Sequence, residues 1–211
     1  ALGFKMLVQV TTALAVLMLA QSAIAKPPRF VPSEESLVSI AASLCKNAKK
    51  PVDRVFLRGL IDYENKHKVP SYARGIVLAA ACRESGFRAK PRRGDKGKAV
   101  GLLQMWPWWE KLGVNRERPG PVVDAWLSHV NRTKKKARRK CKAPWRAWLV
   151  AQAWVSSGPQ GWTCRYSRHY RLLRRWRWLL KAGKFPPTVG SKSRTGKLRG
   201  SRGRRPPRKR K

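Results

Sequence analysis

Seven consecutive apolar residues, Ile76 to Cys82, run directly into Arg83-Glu84-Ser85-Gly86-Phe87. A helix over this run has to sit in a core, and Gly86 stops it by taking a conformation that other residues avoid. The helix therefore delivers the Glu84 carboxyl to its C-terminal end, at the rim of the core and half out of water. Burial of that kind raises a carboxyl's pKa and lets it keep a proton near neutral pH. A single Glu at a helix end is more often a solvated surface residue. The weight therefore falls on what accompanies it.

Seventeen positions after Glu84 comes Gly101-Leu102-Leu103-Gln104-Met105, preceded by Gly94-Asp95-Lys96-Gly97-Lys98-Ala99-Val100. Further on lies Ala153-Trp154-Val155-Ser156-Ser157-Gly158-Pro159. Taken in order, these motifs resemble those of the soluble lytic transglycosylase and goose-type lysozyme superfamily, over roughly residues 69–162. That superfamily carries a Glu-Ser pair, then a Gly-Leu-Met-Gln run, then Ala-Tyr-Asn-Ala-Gly-Pro. The Asp between two glycines is closer to the goose-type loop. The third motif departs most, with Val155 and Ser156 where the family has Tyr-Asn, unless one residue is inserted and Trp154 stands in for the Tyr. The resemblance implies a mostly α, lysozyme-like single domain with at most a small β-hairpin near the active-site loop. It also implies peptidoglycan glycan strands as substrate, and no metal or other cofactor.

The chain of 211 residues has room for one domain of about 150 residues plus appendages. Its net charge of +39 calls for a polyanionic partner: nucleic acid, anionic cell-wall polymer, lipopolysaccharide or acidic lipid. The compartment chooses among them. Lys5 precedes an apolar run from Met6 to Ala20, followed by Ala23-Ile24-Ala25, a small-residue cleavage pattern. Residues 1–25 read as a secretory signal, and the run is short for a membrane span. An uncleaved N-terminal anchor is the other reading. Export, whether periplasmic, wall-associated or secreted, points to wall polymers or lipopolysaccharide and away from nucleic acid. A monomer is expected.

Four cysteines suit an exported protein, and they allow three pairings that sequence does not decide between. The favoured one joins Cys45 to Cys82, pinning the N-terminal helix to the Glu84 helix. Cys141 would then pair with Cys164, closing a loop around the helix at 144–157; free buried thiols are the alternative. The three histidines, His67, His129 and His169, are scattered and no Cys-x-x-Cys occurs, so zinc has little support.

Residues 26–32 form a proline-containing leader, 33–182 the catalytic domain, and 183–211 a tail of Lys, Arg, Gly, Ser and Pro too poor in apolar residues to fold. Ser33 caps a first helix with Leu37, Ile40, Ala41 and Leu44 on one face. A second, 52–66, is expected to bury Val55, Phe56, Leu60 and Ile61. Pro70 opens the Glu84 helix. A short helix over 100–106 precedes Pro107. Further helices begin at Pro121, at Pro144 and near Arg165, the last carrying Tyr166, Tyr170, Leu173 and Trp176 on one face.

Only ten carboxylates are present, none after Asp124, so the search for an acid is short. Glu34, Glu35 and Asp53 fall at helix N-termini, where capping accounts for them. Asp62, Glu64, Glu110, Glu117 and Asp124 lie among Lys and Arg, where ion pairing suffices. Glu84 and Asp95 remain. By the resemblance, Glu84 protonates the leaving oxygen of the MurNAc-GlcNAc β-1,4 bond. It then removes the proton from the muramic acid C6 hydroxyl, giving a 1,6-anhydro end. The first alternative is a lysozyme-like hydrolase in which Asp95 orients water, with about 6.5–9.5 Å between the carboxyls; Asp95 reads equally well as a turn residue. Another is an inactive cationic protein that binds polyanions or membranes. The resemblance assigns substrate binding to Gln104, whose amide suits an acetamido group, and to backbone around Gly101 and Met105. Ser85 would orient Glu84 by bonding it or nearby backbone. Ten tryptophans are many for this length, and Trp106, Trp108 or Trp154 is expected to stack on sugar rings.

Overall fold

The computed structural model describes residues 30–88, 93–142, 146–158 and 163–185. The expected signal, most of the leader and all but the first residues of the basic tail lie outside them. The described residues form a small, mostly helical domain with six α-helices: α1 (Glu34–Leu44), α2 (Arg54–Lys66), α3 (Ile76–Ser85), α4 (Pro119–Cys141), α5 (Ala147–Ser157) and α6 (Arg168–Lys181). None of them is long and apolar enough to cross a membrane.

Helix α3 occupies the middle. Every residue from Ile76 to Cys82 is buried, and α1, α2 and α6 all pack on it, while α4 and α5 pack along one another. At its end Gly86 adopts the left-handed conformation expected of it, with φ 60°, and its N–H reaches back to Ala81 and Cys82. A side chain there would collide with the Asn47 carbonyl, 2.0 Å from the Cβ position, so only glycine fits.

The start of α3 is built differently from the sequence expectation. Pro70 precedes a single 3-10 turn, Ser71–Ala73, and the α-helix begins only after Gly75, which has no side chain to cap it. Glu64 supplies the cap from α2. It is fully buried, and its two carboxylate oxygens accept the N–H groups of Gly75 at 2.6 Å and Val77 at 2.7 Å. The expectation of a surface ion pair for Glu64 is thereby corrected. Burial pushes this carboxyl up to about 7, against the two N–H bonds and the Arg74 charge, which pull it down.

The outer helices start as their caps dictate. Ser33 accepts the Ser36 N–H, Asp53 those of Val55 and Phe56, and Ser167 that of Tyr170. Two apolar faces are turned slightly from those expected. In α1 Val38 is buried and Leu44 exposed; in α2 Leu57 is buried and Val55 is 73% exposed. Helix α4 begins at Pro119, two residues before the expected Pro121, and α6 at Arg168 behind its Ser167 cap. Trp148 and Trp176 are buried, but Trp178 is 55% exposed. Both favoured disulfides are present, Cys45–Cys82 and Cys141–Cys164, with Cα atoms 5.7 and 5.6 Å apart.

No helix forms over 100–106. Gly101 and Gln104 are left-handed, with φ 78° and 49°, and Val100 and Met105 exchange N–H···O=C bonds across the resulting turn. A second isolated bridge joins Gly94 to Ala99, and among the described residues no longer strand forms. The expected hairpin is thus reduced to two bridges. The next helical segment is a 3-10 stretch, Pro107–Leu112.

Because the Glu64 carboxyl holds its proton longer in the folded than in the unfolded chain, the folded state binds more protons between pH 4.5 and about 7. This group's contribution to stability is present below pH 4.5 and is lost as pH rises through 7. A shift of this size corresponds to something on the order of 3 kcal/mol. Glu64→Gln should lower stability at all pH values, since an amide has one acceptor for two N–H groups. It should also flatten this segment of the profile, as measured by denaturant unfolding across pH.

Candidate functional site

The last turn of α3 sets Glu84 on the edge of a cleft of about 600 Å³. Its side chain is 31% exposed, at the rim of the core as the apolar run implies. Leu103, Gln104 and Met105 contribute one wall, and Asp95 lines the same cleft. Trp106, Trp108, Trp109 and Trp126 form an aromatic wall, and Val155 to Gly158 close the cleft at the end of α5. Trp108 and Trp109 stack with centroids 4.3 Å apart, and the edge of His129 packs against Trp109 at 5.4 Å. Burial, and secondarily the Arg132 charge, lowers the His129 pKa and favours the neutral ring.

The carboxylate is held by a residue that sequence reasoning left among scattered histidines. His169, on α6, places Nε2 2.6 Å from Glu84 Oε1. Its tautomer follows from the groups behind it. The Ser156 hydroxyl donates to the Gln152 carbonyl, so its oxygen is the acceptor for Gln152 Nε2 at 2.9 Å. The Ser167 hydroxyl donates to Gln152 Oε1 while accepting the Tyr170 N–H. These bonds fix the amide's orientation and aim its second N–H at His169 Nδ1, 3.1 Å away. With Nδ1 accepting, the ring proton is on Nε2, and a neutral imidazole donates to Glu84. Gln152 is fully buried and His169 nearly so.

Asp95 sits in a tight turn. The Gly97 N–H bonds the Gly94 carbonyl, and the two central residues, Asp95 and Lys96, have φ 46° and 55°. That is the pattern of a type I′ turn, in which Asp tolerates the left-handed region. The turn reading of Asp95 therefore holds while its position still faces the cleft. Gln104 secures this turn: its Oε1 accepts the Gly94 N–H at 3.0 Å and its Nε2 donates to the Gly101 carbonyl at 3.1 Å. Arg116 does the same from behind, donating to the carbonyls of Lys98 and Met105, both at 2.8 Å, while paired with Glu110.

The other expected binding residues divide. Met105, Trp106 and Trp108 line the cleft, and Gln104 lines it with both amide atoms bonded to backbone, so its first task is to clamp the loop. Gly101 lies behind the cleft, packed on the Arg116 carbonyl so closely that a Cβ would fall 1.9 Å from it. Ser85 is buried and does not line the cleft; its hydroxyl donates to the Ala81 carbonyl at 2.9 Å. Trp154 is core, 1% exposed, with its indole N–H donated to the Thr163 carbonyl, and it does not line the cleft. Trp145 and Pro159 lie outside the described residues. Among the described residues, no group of three His, Cys, Asp or Glu side chains is placed to hold a metal ion.

Comparison of the chain with known protein families, with curated proteins and with solved structures finds no match.

The hydrogen-bond chain behind Glu84 makes a spectroscopic prediction. Nitrogen-15 spectra of the imidazole should show His169 as the Nε2–H tautomer. In Gln152→Glu the amide donor becomes an acceptor, so Nδ1 should carry a proton and its nitrogen-15 signal should move accordingly. An unchanged ring signal in that variant would contradict the assigned tautomer.

Proposed function

We propose that this chain is a lytic transglycosylase that cleaves the MurNAc-GlcNAc β-1,4 bond of peptidoglycan, with Glu84 as acid and then base. The observation that carries the reading is the Glu84 carboxyl itself. It ends a buried helix, opens on an indole-walled cleft, and has one oxygen held by a neutral His169. On this reading the helical domain is lysozyme-like, the protein acts outside the cytoplasm as a monomer, and its basic tail binds anionic wall polymer or lipopolysaccharide. The two disulfides favour an oxidising compartment.

Sugar rings present apolar faces that stack on indoles, and Trp106 and Trp108 are exposed enough to receive them. With Oε1 bonded to His169, Oε2 is the oxygen that meets the glycosidic bond. Its proton passes to the leaving O4 as the C1–O4 bond breaks, and positive charge builds at C1 and the ring oxygen. The resulting carboxylate keeps the His169 bond. It then takes the proton of the muramic acid C6 hydroxyl as that oxygen closes on C1. The proton lost in the first step is recovered in the second, and no water enters.

Asp95 supports a second reading, because it lines the same cleft on a turn that Gln104 and Arg116 hold in place. A carboxylate carried on a turn held in this way can orient water for attack on C1, which gives hydrolysis with a reducing end.

Digestion of purified sacculi followed by mass spectrometry of the fragments decides between the two. Anhydro ends are expected. Glu84→Gln should lower the rate by about 10²–10⁴, since the amide neither gives nor takes the proton. Retention of more than about a tenth of the rate would remove Glu84 from the acid's role. Asp95→Asn should keep most activity, because Asn suits the same turn. Reducing ends together with a dead Asn variant would establish the hydrolase instead. Sacculi left intact by the wild-type protein would favour a purely polyanion-binding role.

A further inference from the structure

A second concavity, of about 710 Å³, meets the first at the reacting carboxyl: Glu84, Ser156, Ser157 and His169 line both. The two differ sharply in chemistry. The first is walled by four indoles and contains no Lys or Arg. The second has no tryptophan and is lined by four arginines, Arg83, Arg165, Arg168 and Arg171, together with several hydroxyl groups. Among the described residues none of these four guanidinium groups is paired with a carboxylate. Glu84 is the one acid in the groove, and it is engaged with His169.

We propose that this arginine-lined groove binds the carboxylates of the peptide borne by the sugar at the bond being cut. The proposal rests on the glycan-cleaving reading above and deepens it. A ligand lying across Glu84 has to present an apolar ring face on one side and anionic groups on the other, tethered within reach of the scissile bond. The muramoyl residue does so, because the lactyl ether at its C3 carries the carboxylate-bearing stem peptide on the same ring as C1. The guanidinium fork matches a carboxylate with two parallel N–H bonds. Pairs at exposed side chains are individually weak, but several cations in one concavity focus the field on an incoming anion. The indole wall then receives the sugar faces, and the arginine groove orients the strand so that the muramoyl C1 comes to Glu84.

The test is the double variant Arg165→Gln/Arg168→Gln, in which both altered residues are exposed and neither touches Glu84. Its control is Lys134→Gln/Lys135→Gln, which removes the same charge from an exposed stretch of α4 outside the groove. Kinetics are measured on soluble glycan chains with intact stem peptides and on the same chains after amidation of their carboxylates. On intact chains the arginine variant should raise KM by about tenfold with kcat little changed. The wild type should lose a similar factor on amidated chains, where the two proteins become alike. Equal losses by the arginine variant on both substrates, or an equal loss by the lysine control, would overturn the proposal.

If the wild type cuts neither substrate, the glycan-cleaving reading fails, and the groove is judged by titration with the free stem peptide. Salt-sensitive binding by the wild type that the arginine variant lacks supports the groove. No binding by the wild type overturns it.

Discussion

The first turn of α3 exposes N–H groups that no residue of its own segment can satisfy, deep in an apolar interior. Helices ordinarily meet this demand with a capping side chain or with water. Gly75 has no side chain and the site is buried, so Glu64 reaches over from α2 and accepts two of these N–H groups with one carboxyl group. Removing it would leave those donors buried without acceptors, which costs more than the bonds themselves contribute. At the other end of the same helix, Gly86 closes the backbone on the Asn47 carbonyl and Cys82 is bonded to Cys45. A helix fixed at both ends and packed on three sides has no freedom to slide. The position of Glu84 is therefore set by the core rather than by the cleft.

At the cleft, three helices converge on the Glu84 carboxyl. Glu84 comes from α3, Gln152 and Ser156 from α5, and His169 from α6 behind its Ser167 cap. Behind Glu84, the side chains of His169, Gln152, Ser156 and Ser167 each find partners in one another or in nearby backbone, and inside a core such networks act as units. Substitutions at Gln152 and His169 should consequently not add, and a double-mutant cycle would report the coupling. The disulfide from Cys141 to Cys164 ends three residues before Ser167, so it anchors the approach to this network as well.

The apolar run of α3 and its glycine stop were legible because a helix that is apolar on every side has one place to go. The capped starts of α1 and α2 were legible for similarly local reasons, whereas the cysteine pairing was one favoured choice among three and the Ser167 cap of α6 was not read. What escaped were polar residues whose partners lie far along the chain. Glu64 occupies the same stripe as Leu57, Leu60 and Ile61, and His169 the same stripe as Leu173 and Trp176. Gln152 stands alone in an apolar helix. A polar side chain on a buried stripe needs a partner, and that was the available signal. Its partner's identity, 85 residues away in the case of Glu84 and His169, is a tertiary fact. The loop over 100–105 was misread because Gly-Leu-Leu-Gln-Met suits a helix by propensity. Two left-handed residues and the pull of Arg116 on the Met105 carbonyl decide otherwise.

The clamp on the Asp95 turn grips main chain only. Gln104 holds the Gly94 N–H and the Gly101 carbonyl, and Arg116 the carbonyls of Lys98 and Met105. Contacts of this kind are blind to the side chains of the segment they hold. Lys96 and Lys98 are exposed, and exchanging Lys98, or replacing Lys96 by a residue that tolerates its left-handed backbone, leaves every bond of the clamp in place. The wall of the cleft can thus change its outer face through mutation while keeping its shape. For protein engineering, this makes it a natural position for a variable loop on a scaffold whose Glu84 carboxyl is anchored elsewhere.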